Sequence, residues 1–134
     1  MECLFCKIVK KETAAHIIAE NEGILAILDA YPASDGHVLL ITKKHFPNIA
    51  EIDEESWKCL LPLMKKIINK LKNSNLPTFP QGFNIISNVN EIASQSIFHF
   101  HLHIIPKYEK NKGFIWTAKP ELRYNLNQVV EKLK

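Results

Sequence analysis

No run of apolar residues in this 134-residue chain approaches the ~20 needed to cross a bilayer as a helix, so no membrane role is expected. The start of the chain lacks a secretory pattern too, since Glu2 and Cys3 precede a short mixed segment. A cytoplasmic location is therefore expected. Charge of one sign is scarce: the formal net charge is +3 and the lysines are scattered. Nothing in that balance argues for a nucleic-acid partner. Three cysteines in a cytosolic chain do not make a disulfide framework. Internal repeats and low-complexity tracts are absent. What is there, 46% hydrophobic and 23% charged residues, describes a globular chain expected to form one domain over residues 1–134 around a single core.

The apolar patterning gives the elements. Leu4, Phe5, Ile8 and Val9 have helical spacing, so residues 3–10 read as a short helix. The runs 16–20 and 24–29 flank Asn21-Glu22-Gly23 and read as a hairpin. Residues 30–36 form a loop with Pro32 and Asp35-Gly36 as turn signals. The nearly all-apolar run 37–42 suits a strand buried on both faces. Asp53 opens a long helix to Lys72, with Glu54 and Glu55 at its start and Lys70 and Lys72 at its end, as the helix dipole favours. Its expected stripe is Trp57, Leu60, Leu61, Met64, Ile67, Ile68 and Leu71, and Pro62 is expected to kink it. A fourth strand is expected at 83–88 and a terminal helix over 121–134. The sum is an α+β chain: an antiparallel, meander-like five-stranded sheet with a long helix and a short N-terminal one.

The fifth strand carries the chemistry. In Gln95-Ser96-Ile97-Phe98-His99-Phe100-His101-Leu102-His103-Ile104-Ile105-Pro106, three histidines fall at i, i+2 and i+4. Alternation along a strand puts His99, His101 and His103 on one face, with Phe98, Phe100, Leu102 and Ile104 opposite. Random placement of six histidines would give this spacing in roughly one chain in a hundred. Three readings compete: a chance polar face, a metal cluster, and an imidazole acting as nucleophile or base. Spacing alone does not separate the last two. At the other end of the chain, Cys3-Leu4-Phe5-Cys6 offers two of the four ligands that zinc needs, histidines elsewhere having to supply the rest. The bland alternative is a pair of small half-buried residues. Cys59 reads as packing.

The triad stretch resembles the signature of the histidine triad (HIT) nucleotide-binding and hydrolase family, His-x-His-x-His followed by two apolar residues. The likeness extends through Cys3-Leu4-Phe5-Cys6-Lys7-Ile8, Leu28-Asp29-Ala30-Tyr31-Pro32, Gly36-His37-Val38-Leu39-Leu40-Ile41 and Lys43-Lys44-His45. It covers about residues 3–106, leaving a C-terminal extension of about 107–134. The resemblance implies the same fold, a homodimer joining two sheets edge to edge, and no organic cofactor. It implies hydrolysis at the α-phosphate of a purine nucleoside phosphoramidate or dinucleoside polyphosphate, through a nucleotidyl-histidine intermediate. It assigns the nucleophile to His101 and phosphate-side donors to His103, Gln95 and His37. Ser96 matches a contact to the leaving group, Asp29 the acceptor of ribose hydroxyls, and Asn88 a lining residue of the phosphate side. Leu4, Phe5, Ile8 and Ile27 match the base slot. Some bacterial members carry a structural zinc site, here Cys3, Cys6, His45 and the first triad residue, His99. Two departures bear on leaving-group preference: Ser94 stands where the family usually has Gly, and residues 88–93 are poor in glycine.

Two rival readings stand beside the hydrolase. One is a metalloenzyme that ligates a hydrolytic metal with His99, His101 and His103. The other is a nucleotide-binding regulatory module in which hydrolysis is incidental.

Overall fold

A computed structural model describes residues 2–134. Five strands form one antiparallel sheet: β1 (Ile17–Glu20), β2 (Ile24–Leu28), β3 (Val38–Thr42), β4 (Gly82–Ile86) and β5 (His101–Lys107). Helix α1 spans Leu4–Val9, α2 spans Glu54–Lys72 and α3 spans Leu126–Leu133. The expected meander order is corrected. The sheet runs β1-β2-β3-β5-β4, so the triad strand sits inside it rather than at its edge. The connection from β3 through α2 carries the chain past the vacant position beside β3, and β5 returns to fill it.

Local chemistry explains the entries and turns. The Asn21 side chain accepts from the Gly23 and Ile24 amides at 3.1 and 2.9 Å and donates to the Cys59 carbonyl at 2.8 Å. One residue thus shapes the β1–β2 turn and ties it to α2. Asp53 caps α2 by accepting from the Ser56 amide at 2.8 Å. The helix runs on through Pro62 to Lys72.

The apolar runs of β2 and β3 follow from a sheet covered on both faces. Ile24, Ala26, Val38, Leu40, Leu102 and Ile104 face α2, where Leu60, Leu63, Ile67 and Leu71 meet them. Leu25, Ile27, Leu39 and Ile41 alternate to the other face, where Phe5 and Ile8 of α1 pack. Burying each of those two side chains contributes roughly 1.5–3 kcal/mol, which holds α1 against the sheet. Of the expected α2 stripe, Leu60, Ile67 and Leu71 are buried and Met64 and Ile68 pack beside them; Leu63 joins the buried row, whereas Trp57 and Leu61 are 51% and 53% exposed. Phe98 is likewise corrected: it is 50% exposed rather than in the core, because regular strand geometry begins only at His101. The terminal helix is shorter than expected. It starts at Leu126 because Asn125 caps it in a reciprocal box with Gln128.

Candidate active site

Strand register decides where the histidines go. His101 lies opposite Ile41 and His103 opposite Leu39, so both rings emerge on the face that α1 covers. There they border a cavity of about 660 Å3, within the range of small-molecule sites. Of the residues singled out in the sequence, Leu4, Phe5, Ile8, Ile27, Asp29, Ser96, His101 and His103 line it. One wall is apolar; Asp29, Ser96 and the two imidazoles are the polar part.

The hydrogen bonds fix the tautomers. His101 Nδ1 lies 2.9 Å from the carbonyl oxygen of His99. A carbonyl only accepts, so Nδ1 carries the proton and Nε2 keeps the lone pair. A longer chain sets His103. The Ala33 amide donates to His37 Nδ1 at 3.0 Å, so the His37 proton sits on Nε2. That Nε2–H faces His103 Nδ1 at 2.9 Å. His103 therefore accepts on Nδ1 and retains Nε2–H as its free donor. Asp29 Oδ2 lies beside the pair, 3.4 Å from His37 Nε2. Its Oδ1 accepts from the Tyr31 amide at 2.8 Å, which holds the carboxylate at the mouth of the loop.

Burial governs protonation here. It pushes His37, His99 and His101 below the ordinary imidazole range. His103 is pushed down to about 4 by burial and then by the neighbouring His101 and His37 rings, with Asp29 opposing. At neutral pH the site holds neutral imidazoles: one with an exposed lone pair, one with an exposed N–H.

His99 does something else. Its Nε2–H donates to the Thr42 carbonyl at 2.7 Å, leaving the Nδ1 lone pair to face Cys3, Cys6 and His45. Nδ1 is 3.4 Å from Cys3 Sγ, 3.5 Å from Cys6 Sγ and 3.2 Å from His45 Nδ1, and Cys6 Sγ is 3.3 Å from His45 Nδ1. With zinc bonds of about 2.0–2.1 Å to nitrogen and 2.3 Å to sulfur, a tetrahedral site has edges of about 3.3 Å between nitrogens and 3.6 Å between nitrogen and sulfur. The spacing fits that solid, and the donor set of two thiols and two imidazoles fits zinc. The reading of His99, His101 and His103 as ligands of one hydrolytic metal is corrected: both nitrogens of His99 and Nδ1 of His101 are engaged elsewhere.

Three expected contacts fall outside the cavity. Gln95 is buried at the loop base: its side chain accepts from the Asn90 amide at 2.8 Å and donates to the Pro47 and Ile97 carbonyls. Its amide is thereby fully engaged in shaping the approach to Ser96. His37 acts on His103 rather than on the cavity. Asn88 reaches the Ser94 carbonyl at 3.4 Å. Conversely, Thr13, Ala15, His16, Tyr31, Leu39 and Ile97 line the cavity and were not singled out. Small or single polar residues between elements carry no periodic signal; for Leu39, the alternation of β3 opposite the triad was the available clue.

A family model described as the HIT domain matches residues 10–110. An uncharacterized HIT-like protein of Mycoplasma genitalium is 46% identical over 94% of this chain and 87% of its own length. The adenosine 5'-monophosphoramidase of Schizosaccharomyces pombe is 38% identical, over 90% of this chain and 86% of its own. Among solved structures, a HIT family protein from Bacillus anthracis superposes with a TM-score of 0.86 at 34% identity, covering 98% of this chain and 94% of that one. By its triad strand, its sheet and these likenesses, the chain belongs to the HIT family.

Proposed function

We propose that the protein hydrolyses a purine nucleoside phosphoramidate or dinucleoside polyphosphate at the α-phosphate and releases a nucleoside monophosphate. The observation that carries this reading is the tautomer of His101: a neutral ring, its proton held by the His99 carbonyl and its lone pair free, on the wall of a nucleotide-sized cavity. His101 Nε2 attacks phosphorus; the bond to the amine or distal phosphate breaks, and the nucleotide is carried on nitrogen until water displaces it. His103 Nε2–H stabilises charge on the phosphoryl oxygens. Asp29 accepts from ribose hydroxyls, and Leu4, Phe5, Ile8 and Ile27 hold the base. Ser96 meets the leaving group. Gln95, His37 and Asn88 support this set from behind. The adenosine 5'-monophosphoramidases among its relatives, at 34–38% identity, support the same chemistry.

The reading includes one structural zinc on Cys3, Cys6, His45 and His99, supported by donor type and spacing. Four protein ligands would leave no open coordination position, so Cys3, Cys6, His45 and His99 would hold the ion as a crosslink between the N-terminal region and the start of the triad strand. It also includes a homodimer, supported by the half-exposed Trp57 and Leu61 on α2.

The test is a panel of nucleoside phosphoramidates and dinucleoside polyphosphates with products separated by chromatography, followed by radiolabelled substrate quenched in base. Wild type is expected to trap label on the protein. His101→Ala should trap none and cease turnover while still binding nucleotide. His103→Ala should keep the adduct and lose about a hundred- to a thousandfold in rate, and Asp29→Asn should act on affinity. An acid-labile adduct and near-normal turnover in His101→Ala would sink the assignment. Nucleotide binding without turnover of any substrate would make the protein a binding module instead.

A further inference from the structure

Helix α1 takes part in two sites. Cys3 and Cys6 belong to the four-ligand cluster, while Leu4 and Phe5 between them, and Ile8 one turn on, line the cavity. Phe5 is buried, and its ring meets His99 and His101 edge-on, with centroids 5.8 and 5.0 Å away. A second link runs through the backbone just before β5. The His99 ring points its Nδ1 into the cluster, and the carbonyl of the same residue accepts the His101 Nδ1–H. The first link sets the wall of the cavity; the second sets the imidazole facing that wall.

These links matter because α1 has only six residues. A helix of that length has no stability of its own, so its position depends on what anchors it. Two anchors are visible: the apolar contact of Phe5 and Ile8 with the sheet, and the cluster at Cys3 and Cys6. With only the first in place, α1 has one row of contacts about which to tilt, and Leu4 and Phe5 tilt with it.

We infer that metal binding at Cys3, Cys6, His45 and His99 and nucleotide binding in the adjacent cavity are thermodynamically coupled, each tightening the other. The inference rests on the nucleotide reading above and extends it: the cluster sets the affinity of the pocket, beyond pinning the N-terminus. Linkage requires the effect to be reciprocal and equal in the two directions. A factor of about ten is expected, inside the usual 5–150-fold range of such couplings.

The experiment has three parts. Calorimetry on the metal-loaded protein first measures the affinity for adenosine 5'-monophosphate. Zinc affinity is then measured by equilibrium competition with a chelator of known strength, with and without saturating nucleotide. Last, nucleotide affinity is measured on the metal-free protein and on His45→Ala, whose altered side chain lies outside the cavity, with circular dichroism confirming that both are folded. Nucleotide should raise zinc affinity about tenfold, and both metal-poor forms should bind nucleotide more weakly by a similar factor. Equal zinc affinity with and without bound nucleotide overturns the coupling, and so does a protein that takes up no zinc. A loaded protein that binds no nucleotide overturns the functional reading as well, and that result is read before any chelator is added.

Discussion

At the scale of the residue, the site works by assigning protons. His37 receives the Ala33 amide and passes its own proton toward His103; nothing in the sequence states that order. The triad spacing made His101 and His103 legible as a shared face, but their tautomers depend on carbonyls and amides contributed from distant turns. Gln95 shows the same limit: its place in the motif was readable, its engagement by Asn90, Pro47 and Ile97 was not. The low proton affinity of His103 has a measurable consequence. Its value of about 4 in the fold lies below the ordinary 6.5, so as pH falls the unfolded chain takes up the proton first. Stability from this group is complete above about pH 6.5 and is lost as pH falls toward 4. By pH 4.5 the loss is about 2 kcal/mol. Denaturant unfolding at pH 7.5 and 4.5 should show a larger acid loss in wild type than in His103→Asn. Equal losses would mean that this imidazole accepts protons in the fold as readily as in water.

At the scale of the element, the loop between β4 and β5 holds the clearest strain. Asn90 has φ 72° and ψ 159°, and Ser94 has φ 72° and ψ 21°. Ser94 is the position where the family usually carries Gly, and its left-handed backbone gives the reason. Asn90 sits in a region that side chains rarely enter, at a cost of about 1–3 kcal/mol. Asn90→Gly should therefore raise the thermal midpoint, the gain being about 1 kcal/mol after the added freedom of the unfolded chain is subtracted. A fall in the midpoint would show that the side chain of Asn90 contributes more than its backbone costs. The elements were legible wherever periodicity was long: α2 and its caps, the β1–β2 hairpin and the apolar β3 stand close to where the pattern puts them. Strand order was not legible, because nothing local to β5 says that it enters between β3 and β4. Trp57 and Leu61 fall outside the buried face of α2 because they continue the helical row of Met64 and Ile68, which are only partly buried at the border of the core.

At the scale of the whole molecule, the proposed homodimer is tested against the apolar surface that one chain leaves exposed. Trp57 and Leu61 on α2 and Trp116, Leu126 and Leu133 in the C-terminal region are all at least half exposed. Sedimentation at micromolar concentration should give twice the 15.4 kDa chain mass; a species of single-chain mass would contradict the dimer. The interior position of β5 carries a different consequence. It pairs with β3 over His101–Ile104 and with β4 over His103–Lys107, so His103 and Ile104 are flanked on both sides. Hydrogen exchange at His103 and Ile104 should then proceed at the rate set by complete unfolding, and exchange in the exposed α3 should be orders of magnitude faster. Breathing motions that open the ends of the protein should then leave the strand that carries both cavity imidazoles unexchanged.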